Sequence, residues 1–309
     1  MLLTKINTVA GGFGFLYPRN PSRRGDGHVH PKTLILHVDA YEATDHRIAF
    51  ALKLAKKLDA HVMGHVYALE QVMPPMMMGD IPIQLIKAQQ EQAERHARAA
   101  ETTFKEASEA EGVSHESAIA SGTLDAVADH FAEQARVADL AIVGQYNPDT
   151  NDPLKTPVIE SVLFNSGRPM MIVPYIGAQH GDRFKQAIVG WDGGATGARA
   201  AFDALPLLAA LKMSIQLVTV SRGTDSAERE RSANAFIETA KRHGLEGAYQ
   251  MIPGDNIDPA NALLNDAAER DADLLVMGGY GHSRARELLF GGTTRELLSS
   301  MTLPVLMSH

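Results

Sequence analysis

Apolar runs of strand length alternate with helical patterns along most of the chain. In the C-terminal part, the run QAIVGW ends at Asp192, and GARAAFDALPLLAAL follows with helical spacing, although Pro206 is expected to kink or end that helix. The further apolar runs SIQLVTV, AYQMI, DLLVMG and LPVLMSH are separated by amphipathic stretches. Strands that are apolar at nearly every position are typical of parallel sheets covered by helices on both faces. The pattern therefore predicts an α/β fold with a doubly wound parallel sheet.

The same pattern occurs twice. Residues Lys32–Tyr67 align without a gap on Lys185–Val220, and this alignment places Asp39 on Asp192. Further along, ADLAIVG matches ADLLVMG, and RPMMIVPY matches LPVLMSH. Four landmarks in the same order indicate two tandem copies of one unit. Each copy is predicted to be a five-stranded, Rossmann-like domain, in which ligands bind beyond the carboxyl ends of the strands.

The repeat also predicts the domain boundaries. We expect the first domain over residues 31–177 and the second over residues 183–309. Residues 1–30 precede the first predicted strand and become rich in Pro, Gly, Arg and His after Pro18, which favours a disordered leader. A long charged helix is expected over residues 84–112, with Phe104 and Ile86 on its buried side.

Composition narrows the classes of function. The chain has 309 residues and no cysteine, which excludes disulfides, thiolate metal sites and cysteine nucleophiles. A formal charge of −8 without a basic tract argues against a nucleic-acid-binding surface. The sequence contains no apolar run near the roughly 20 residues of a membrane helix and no signal-peptide pattern. We therefore expect a cytoplasmic protein that does not bind membranes.

Glycines cluster in the segment GGYGHSRARELLFGGTT, residues 278–294. The first cluster follows the fourth strand of the second copy, and the second cluster precedes its last helix. Backbone N–H groups at a helix N-terminus can bind a phosphate, and glycines let a backbone approach a ligand closely. The alternative is that these glycines only form tight turns. The candidate residues of this segment are Gly278, Gly281, Gly291, Gly292, Thr293 and Thr294.

The spacing of Gly278, Gly281 and Gly291 resembles the nucleotide-binding signature of the universal stress protein family. The resemblance covers both copies and is closest to the tandem members of that family. It implies an adenine nucleotide such as ATP, with Mg²⁺ as an accompanying ion. It further implies that the nucleotide contacts the strand-end residues Asp192, Val220 and Met277 as well as the glycine segment. Gly292 departs from the signature, because Ser or Thr is preferred at that position. Glycine lacks the hydroxyl group that Ser or Thr could offer to a phosphate.

The first copy has lost this signature. Gly144 is retained, but Asn147 replaces the second glycine, and Thr156 and Pro157 replace Gly291 and Gly292. Proline removes a backbone donor from the phosphate cradle, and Asp149 and Asp152 would repel phosphate. We predict that the first domain does not bind ATP. In the family, final strands pair across dimers, so MMIVPY and PVLMSH are candidates to pair within this chain as a pseudo-dimer.

Two further motifs offer other chemistry. GHSRA around Ser283 is a loosened nucleophile elbow, but the chain after it has little room for a catalytic acid and histidine. The methionine-rich stretch 72–82, with His61 and His65 nearby, offers ligands suited to Cu(I). We interpret that stretch instead as an apolar loop that packs on a partner or on the neighbouring domain. The sequence therefore predicts neither a catalytic residue nor a metal site.

Three functions remain open on the sequence. The first is a regulatory module that binds an adenine nucleotide through the second domain and contacts an unidentified protein partner. The second is a slow ATPase, which lacks support from a P-loop lysine or a positioned general base. The third is a nucleotide-free pseudo-dimer that acts through protein contacts, either alone or as a homodimer.

Overall fold

The structure is a computed structural model that describes residues 7–8, 30–40, 45–70, 83–145, 155–176, 183–221, 226–254, 257–279 and 292–309. The first half contains β1 (Asn7–Thr8), β2 (Thr33–Val38), α1 (Asp45–Leu58), β3 (His61–Leu69), α2 (Ile83–Glu111), β4 (His115–Gly122), α3 (Leu124–Ala135), β5 (Leu140–Gly144), α4 (Lys155–Asn165) and β6 (Met170–Val173). The second half contains β7 (Gln186–Gly190), α5 (Ala195–Leu211), β8 (Ser214–Ser221), α6 (Ser226–Arg242), β9 (Gly247–Pro253), α7 (Pro259–Glu269), β10 (Leu274–Gly278), α8 (Gly292–Ser300) and β11 (Val305–Ser308).

The strands form one sheet in the order β1-β4-β3-β2-β5-β6-β11-β10-β7-β8-β9. Each half contributes five parallel strands, with the half's first strand between its second and its fourth. This order confirms the prediction of two tandem, doubly wound α/β units. The chain reverses its winding beside β2 in the first half and beside β7 in the second. Ligand sites in such sheets lie at this reversal, at the carboxyl ends of the strands.

The two halves join edge to edge through their last strands. β6 and β11 pair antiparallel, with Val305 opposite Ile172 and Leu306 opposite Met171. These strands lie in the two segments for which the family resemblance implied pairing within the chain. Because the strands at the seam are paired, neither half presents an open edge there.

Equivalent hydrogen bonds support the alignment of the two copies. Asp139, just before β5, accepts hydrogen bonds from the backbone N–H groups of Lys32 (2.7 Å) and Thr33 (2.9 Å). Asp273, just before β10, accepts the corresponding bonds from Lys185 (2.8 Å) and Gln186 (3.0 Å). In both copies, this carboxylate fixes the start of the first strand beside the start of the fourth.

Helices cover both faces of the sheet. α1, α2, α5 and α6 pack on one face, and α3, α4, α7 and α8 pack on the other. Both hydrophobic cores continue from one half into the other, and the rings of Phe50 and Phe184 lie 5.8 Å apart where the halves meet. Among the helices that the structure describes, none is long and apolar enough to cross a membrane.

Three details differ from the sequence-based expectations. α5 continues through Pro206 instead of ending there. Phe104 of α2 is fully buried as expected, but Ile86 is 38% exposed, so its assignment to the buried side was wrong. Asn7 and Thr8 pair antiparallel with Ser121 and Ala120 of β4, although residues 1–30 were expected to lack structure. Residues 1–6 and 9–29 lie outside the described part of the chain.

Candidate functional site

The carboxyl end of β7 forms a compact glycine turn around Asp192. The Asp192 carboxylate is exposed, and its Oδ1 accepts a hydrogen bond from the N–H of Gly194 at 2.8 Å. A Cβ at Gly197 would stand 2.6 Å from Oδ1, and one at Gly194 would stand 3.1 Å from it. Gly193 has a φ of +78°, a backbone conformation that glycine adopts without steric cost. These glycines therefore let α5 begin directly behind the Asp192 carboxylate.

Gly278, at the end of β10, contacts the first turn of α5. A Cβ at Gly278 would stand 2.5 Å from the carbonyl carbon of Thr196 and 2.6 Å from the nitrogen of Gly197. Both are backbone atoms of a helix, so they cannot move aside for a Cβ as the end of a flexible side chain could. The structure thus brings both Asp192 and Gly278 next to Gly197, as expected for the ends of neighbouring strands.

Val220 and Met277 lie on the same face of the sheet. Met277 of β10 is buried, and Val220 of β8 is partly buried against the core that Met277 joins.

Trp191 precedes Asp192, and its indole Nε1 donates a hydrogen bond to Ser232 Oγ at 3.0 Å. The Thr219 hydroxyl donates to the carbonyl of Trp191 at 2.7 Å, which ties the end of β8 to the end of β7. Three strand ends are thus held together at this edge.

The rest of the predicted site is described only in part. Gly292, Thr293 and Thr294 form the first turn of α8, so their backbone lies at a helix N-terminus, as predicted. Gly281 and Gly291 lie outside the described residues, as does Ser283. The Ser283 elbow and the positions of these two glycines therefore stay predictions.

Sequence reasoning missed two residues of this arrangement. Gly194 and Gly197 decide how closely α5 approaches Asp192, yet neither was among the candidates. The signal was present in the sequence DGGATG, where small residues follow the strand-end aspartate. Only the tertiary structure shows the reason, because a Cβ at either position would crowd the Asp192 carboxylate.

In the first half, the corresponding space is filled by Arg47. Its Nη2 lies 2.6 Å from Asp39 Oδ2, and its Nη1 donates to the carbonyl of His37 at 2.9 Å. A Cβ at Gly144 would stand 2.6 Å from the centre of the guanidinium group. In the repeat alignment, Arg47 corresponds to Ala200 and Asp39 to Asp192. The first half therefore buries its strand-end aspartate under an arginine, whereas the second half leaves it exposed.

Aromatic side chains fill the neighbouring positions of the first half. His37, His65 and Tyr67 correspond to Gly190, Val218 and Val220 of the second half. Tyr67 is buried, its hydroxyl lies 3.0 Å from His130 Nδ1, and its ring stacks on His37 at 5.8 Å. The described strand ends of the first half therefore hold ring side chains where those of the second half hold small ones.

Burial governs the protonation of this aromatic cluster. Burial, together with the nearby imidazoles of His130 and His37, lowers the pKa of His65 to about 4. Burial also lowers the pKa of His130, an effect that Glu133 partly opposes, and it raises the pKa of Tyr67. These shifts favour the neutral forms of His65, His130 and Tyr67 at physiological pH.

The possible copper ligands do not come together among the described residues. His61 Nδ1 lies 2.8 Å from the Ser114 hydroxyl, whereas His65 lies in the core of the aromatic cluster. Within the part of the chain that the structure describes, no group of three or more histidine or carboxylate side chains could hold a metal ion. The methionine-rich stretch 72–82 lies outside that part.

Comparison with known proteins finds a family resemblance in the second half. The model of the universal stress protein family matches residues 183–309. A universal stress protein of Synechocystis sp. is 26% identical over 94 residues, which cover 30% of this chain and 32% of that protein. One from Bacillus subtilis is 30% identical over 81 residues, which cover 26% of this chain and 55% of that protein. The chain thus spans only a third to about half of these relatives.

A solved structure extends the likeness to both halves. The crystal structure of a universal stress protein from Archaeoglobus fulgidus superposes with a TM-score of 0.66 at 16% identity. The superposition covers 90% of this chain and 96% of that one, and at this identity it shows a shared fold. Residues 183–309 thus match the universal stress protein family, and both halves of the chain share the fold of a solved universal stress protein.

Proposed function

We propose that the second half binds one adenine nucleotide, ATP or a close relative, and that the chain acts as a nucleotide-dependent regulatory module in stress responses. The observation that carries this proposal is the arrangement of Asp192, Gly197 and Gly278, in which strand ends and a helix N-terminus meet without intervening side chains. Such an edge leaves room for a nucleoside beside Val220 and Met277. The exposed Asp192 carboxylate is suited to accept hydrogen bonds from ribose hydroxyl groups.

The phosphates are proposed to bind at the start of α8. The backbone N–H groups of Gly292, Thr293 and Thr294 are the first of that helix and have no partner within it. Such groups carry a partial positive charge that favours phosphate. Gly281 and Gly291 would complete the phosphate contacts, as the spacing of the signature implies, and Mg²⁺ would accompany the phosphates.

The first half is proposed not to bind nucleotide. Arg47 occupies the space next to Gly144, and Tyr67 stands at the position of Val220. A nucleotide there would have to displace a buried ion pair and a buried aromatic cluster. We therefore expect one nucleotide for each chain and not two. The domain boundaries at 31–177 and 183–309 are part of this proposal.

Calorimetric titration of the full chain with ATP and Mg²⁺ tests the proposal. We expect a stoichiometry near one and a loss of binding of about tenfold or more in Asp192→Ala, because hydrogen bonds to a charged group contribute about 1.5–3 kcal/mol. Asp203→Ala is the matched control, since it removes a partly exposed carboxylate from α5, the helix that follows Asp192. Equal affinity in both variants, or no binding by the unmodified chain at millimolar ATP, would contradict the proposed site.

A further inference from the structure

The two halves contact each other twice in a similar way across the β6–β11 seam. In each contact, the residue after the fourth strand of one half meets the last helix of the other. Gln145, after β5, donates a hydrogen bond from Nε2 to the carbonyl of Leu298 in α8 at 2.8 Å. Gly279, after β10, faces Leu163 of α4, whose Cδ2 lies 2.9 Å from where a Cβ would stand. The halves are thus interlocked next to the strand ends that carry the candidate site.

Gly279 is held from several sides. Its N–H donates to the carbonyl of Ser308 at 2.8 Å, and its own carbonyl accepts from His309 Nδ1 at 3.0 Å. The His309 ring in turn packs edge-on against Phe164, with ring centroids 5.0 Å apart. Leu163 and Phe164 are adjacent residues of α4, so a helix of the first half supports the Gly279 peptide both directly and through His309.

We propose that Leu163 and Phe164 of the first half, together with His309, are positioning residues for the nucleotide site of the second half. The proposal rests on the proposed function, in that Gly278 is taken to border the nucleotide. Gly278 directly precedes Gly279 and has no side chain with which to adjust its contact with Thr196 and Gly197. A shift of the Gly279 peptide therefore moves Gly278 relative to Asp192.

In this arrangement the first half supports nucleotide binding by the second half, although side chains occupy the space at its own strand ends. The first half sets how well the site is preorganised, and preorganisation raises affinity because fewer groups must be ordered on binding. By reciprocity, a nucleotide that orders Gly278 also restrains α4. The surface of the first half around α4 is thereby linked to nucleotide occupancy without any contact with the ligand.

Nucleotide affinity of Leu163 variants is the first test. In the full chain, Leu163→Ala is expected to weaken ATP binding about tenfold, since small misplacements of binding groups carry large penalties. Leu54→Ala is the matched control, because it removes the same atoms from a buried position of the first half on the opposite face of the sheet. Leu54→Ala should leave affinity unchanged, and Leu163→Met should restore it by refilling the space.

Hydrogen exchange of the Gly279 amide in the nucleotide-free protein is the second test. Leu163→Ala and His309→Ala should accelerate this exchange, whereas Leu54→Ala should not. His309→Asn should keep the exchange slow, because its side-chain amide can still donate to the Gly279 carbonyl. If Leu163→Ala and Leu54→Ala have the same exchange rate, the positioning role is overturned. If the unmodified chain binds no ATP, the proposed function fails, and the exchange measurement still decides the positioning role.

Discussion

Replacement of Arg47 by methionine should destabilise the protein strongly, because it removes the positive charge that Arg47 places against a buried carboxylate. The side chains of Arg47 and Asp39 are 3% and 0% exposed, and their closest atoms are 2.6 Å apart. Removing one partner of such a pair typically costs about 3–5 kcal/mol of unfolding free energy. Methionine keeps most of the side-chain volume, so the loss reports the charge and the bond to the His37 carbonyl rather than an empty cavity.

The double variant Asp39→Asn/Arg47→Met separates the pair from its surroundings. In the double variant the carboxylate charge is removed together with the guanidinium, and we expect the loss of unfolding free energy to fall to about 1–2 kcal/mol. Lys56→Met is the matched control, since Lys56 forms an ion pair of 2.9 Å with Glu111 in which both side chains are well exposed. An exposed pair of this kind contributes about 0–1 kcal/mol.

Urea unfolding followed by circular dichroism provides the measurement, with the denaturant slope checked for each variant so that free energies can be compared. The reasoning is refuted if Arg47→Met stays within about 1 kcal/mol of the unmodified chain, which is the range of an exposed pair. It is also refuted if the double variant is as unstable as the single one. Either result would mean that Arg47 does not compensate a charge next to Gly144.

Two further predictions concern single positions. Burial lowers the pKa of His65 to about 4, below the ordinary 6.5 that applies in the unfolded chain. The unfolded chain therefore binds the proton first, and the unfolding free energy should fall by up to about 3 kcal/mol as the pH drops from 6.5 to 4. A pH series of urea titrations should show a smaller fall in His65→Val, and an equal fall would contradict the assignment. Gly278→Ala places a methyl group within 2.6 Å of the α5 backbone. The substitution should lower the unfolding free energy by about 1–3 kcal/mol and should also weaken ATP binding. Gly122→Ala, whose methyl would lie 3.6 Å from its nearest neighbours, should be nearly neutral in urea unfolding and in ATP titration. Equal losses in the two variants would argue against the clash.

The sequence by itself determined the architecture. Apolar runs separated by amphipathic stretches predicted the parallel α/β units, because a strand buried on both faces has no room for alternating polar residues. The ungapped alignment of the two copies placed Asp39 on Asp192, and the bonds of Asp139 and Asp273 agree with that alignment. The sequence also indicated Gly278 as a strand-end residue of the site, since the ends of strands follow from the same pattern.

Only the tertiary structure decided how the two copies differ at their strand ends. Asp39 and Asp192 have equivalent places in the repeat, yet one is buried under Arg47 and the other is exposed. The difference depends on the direction in which the Arg47 side chain leaves α1, which a linear pattern does not specify. The contact between Gly279 and Leu163 was likewise hidden, because it joins residues far apart in sequence through the β6–β11 seam. Periodicity reports the local environment of each element, whereas contacts between distant elements form only when the sheet is assembled.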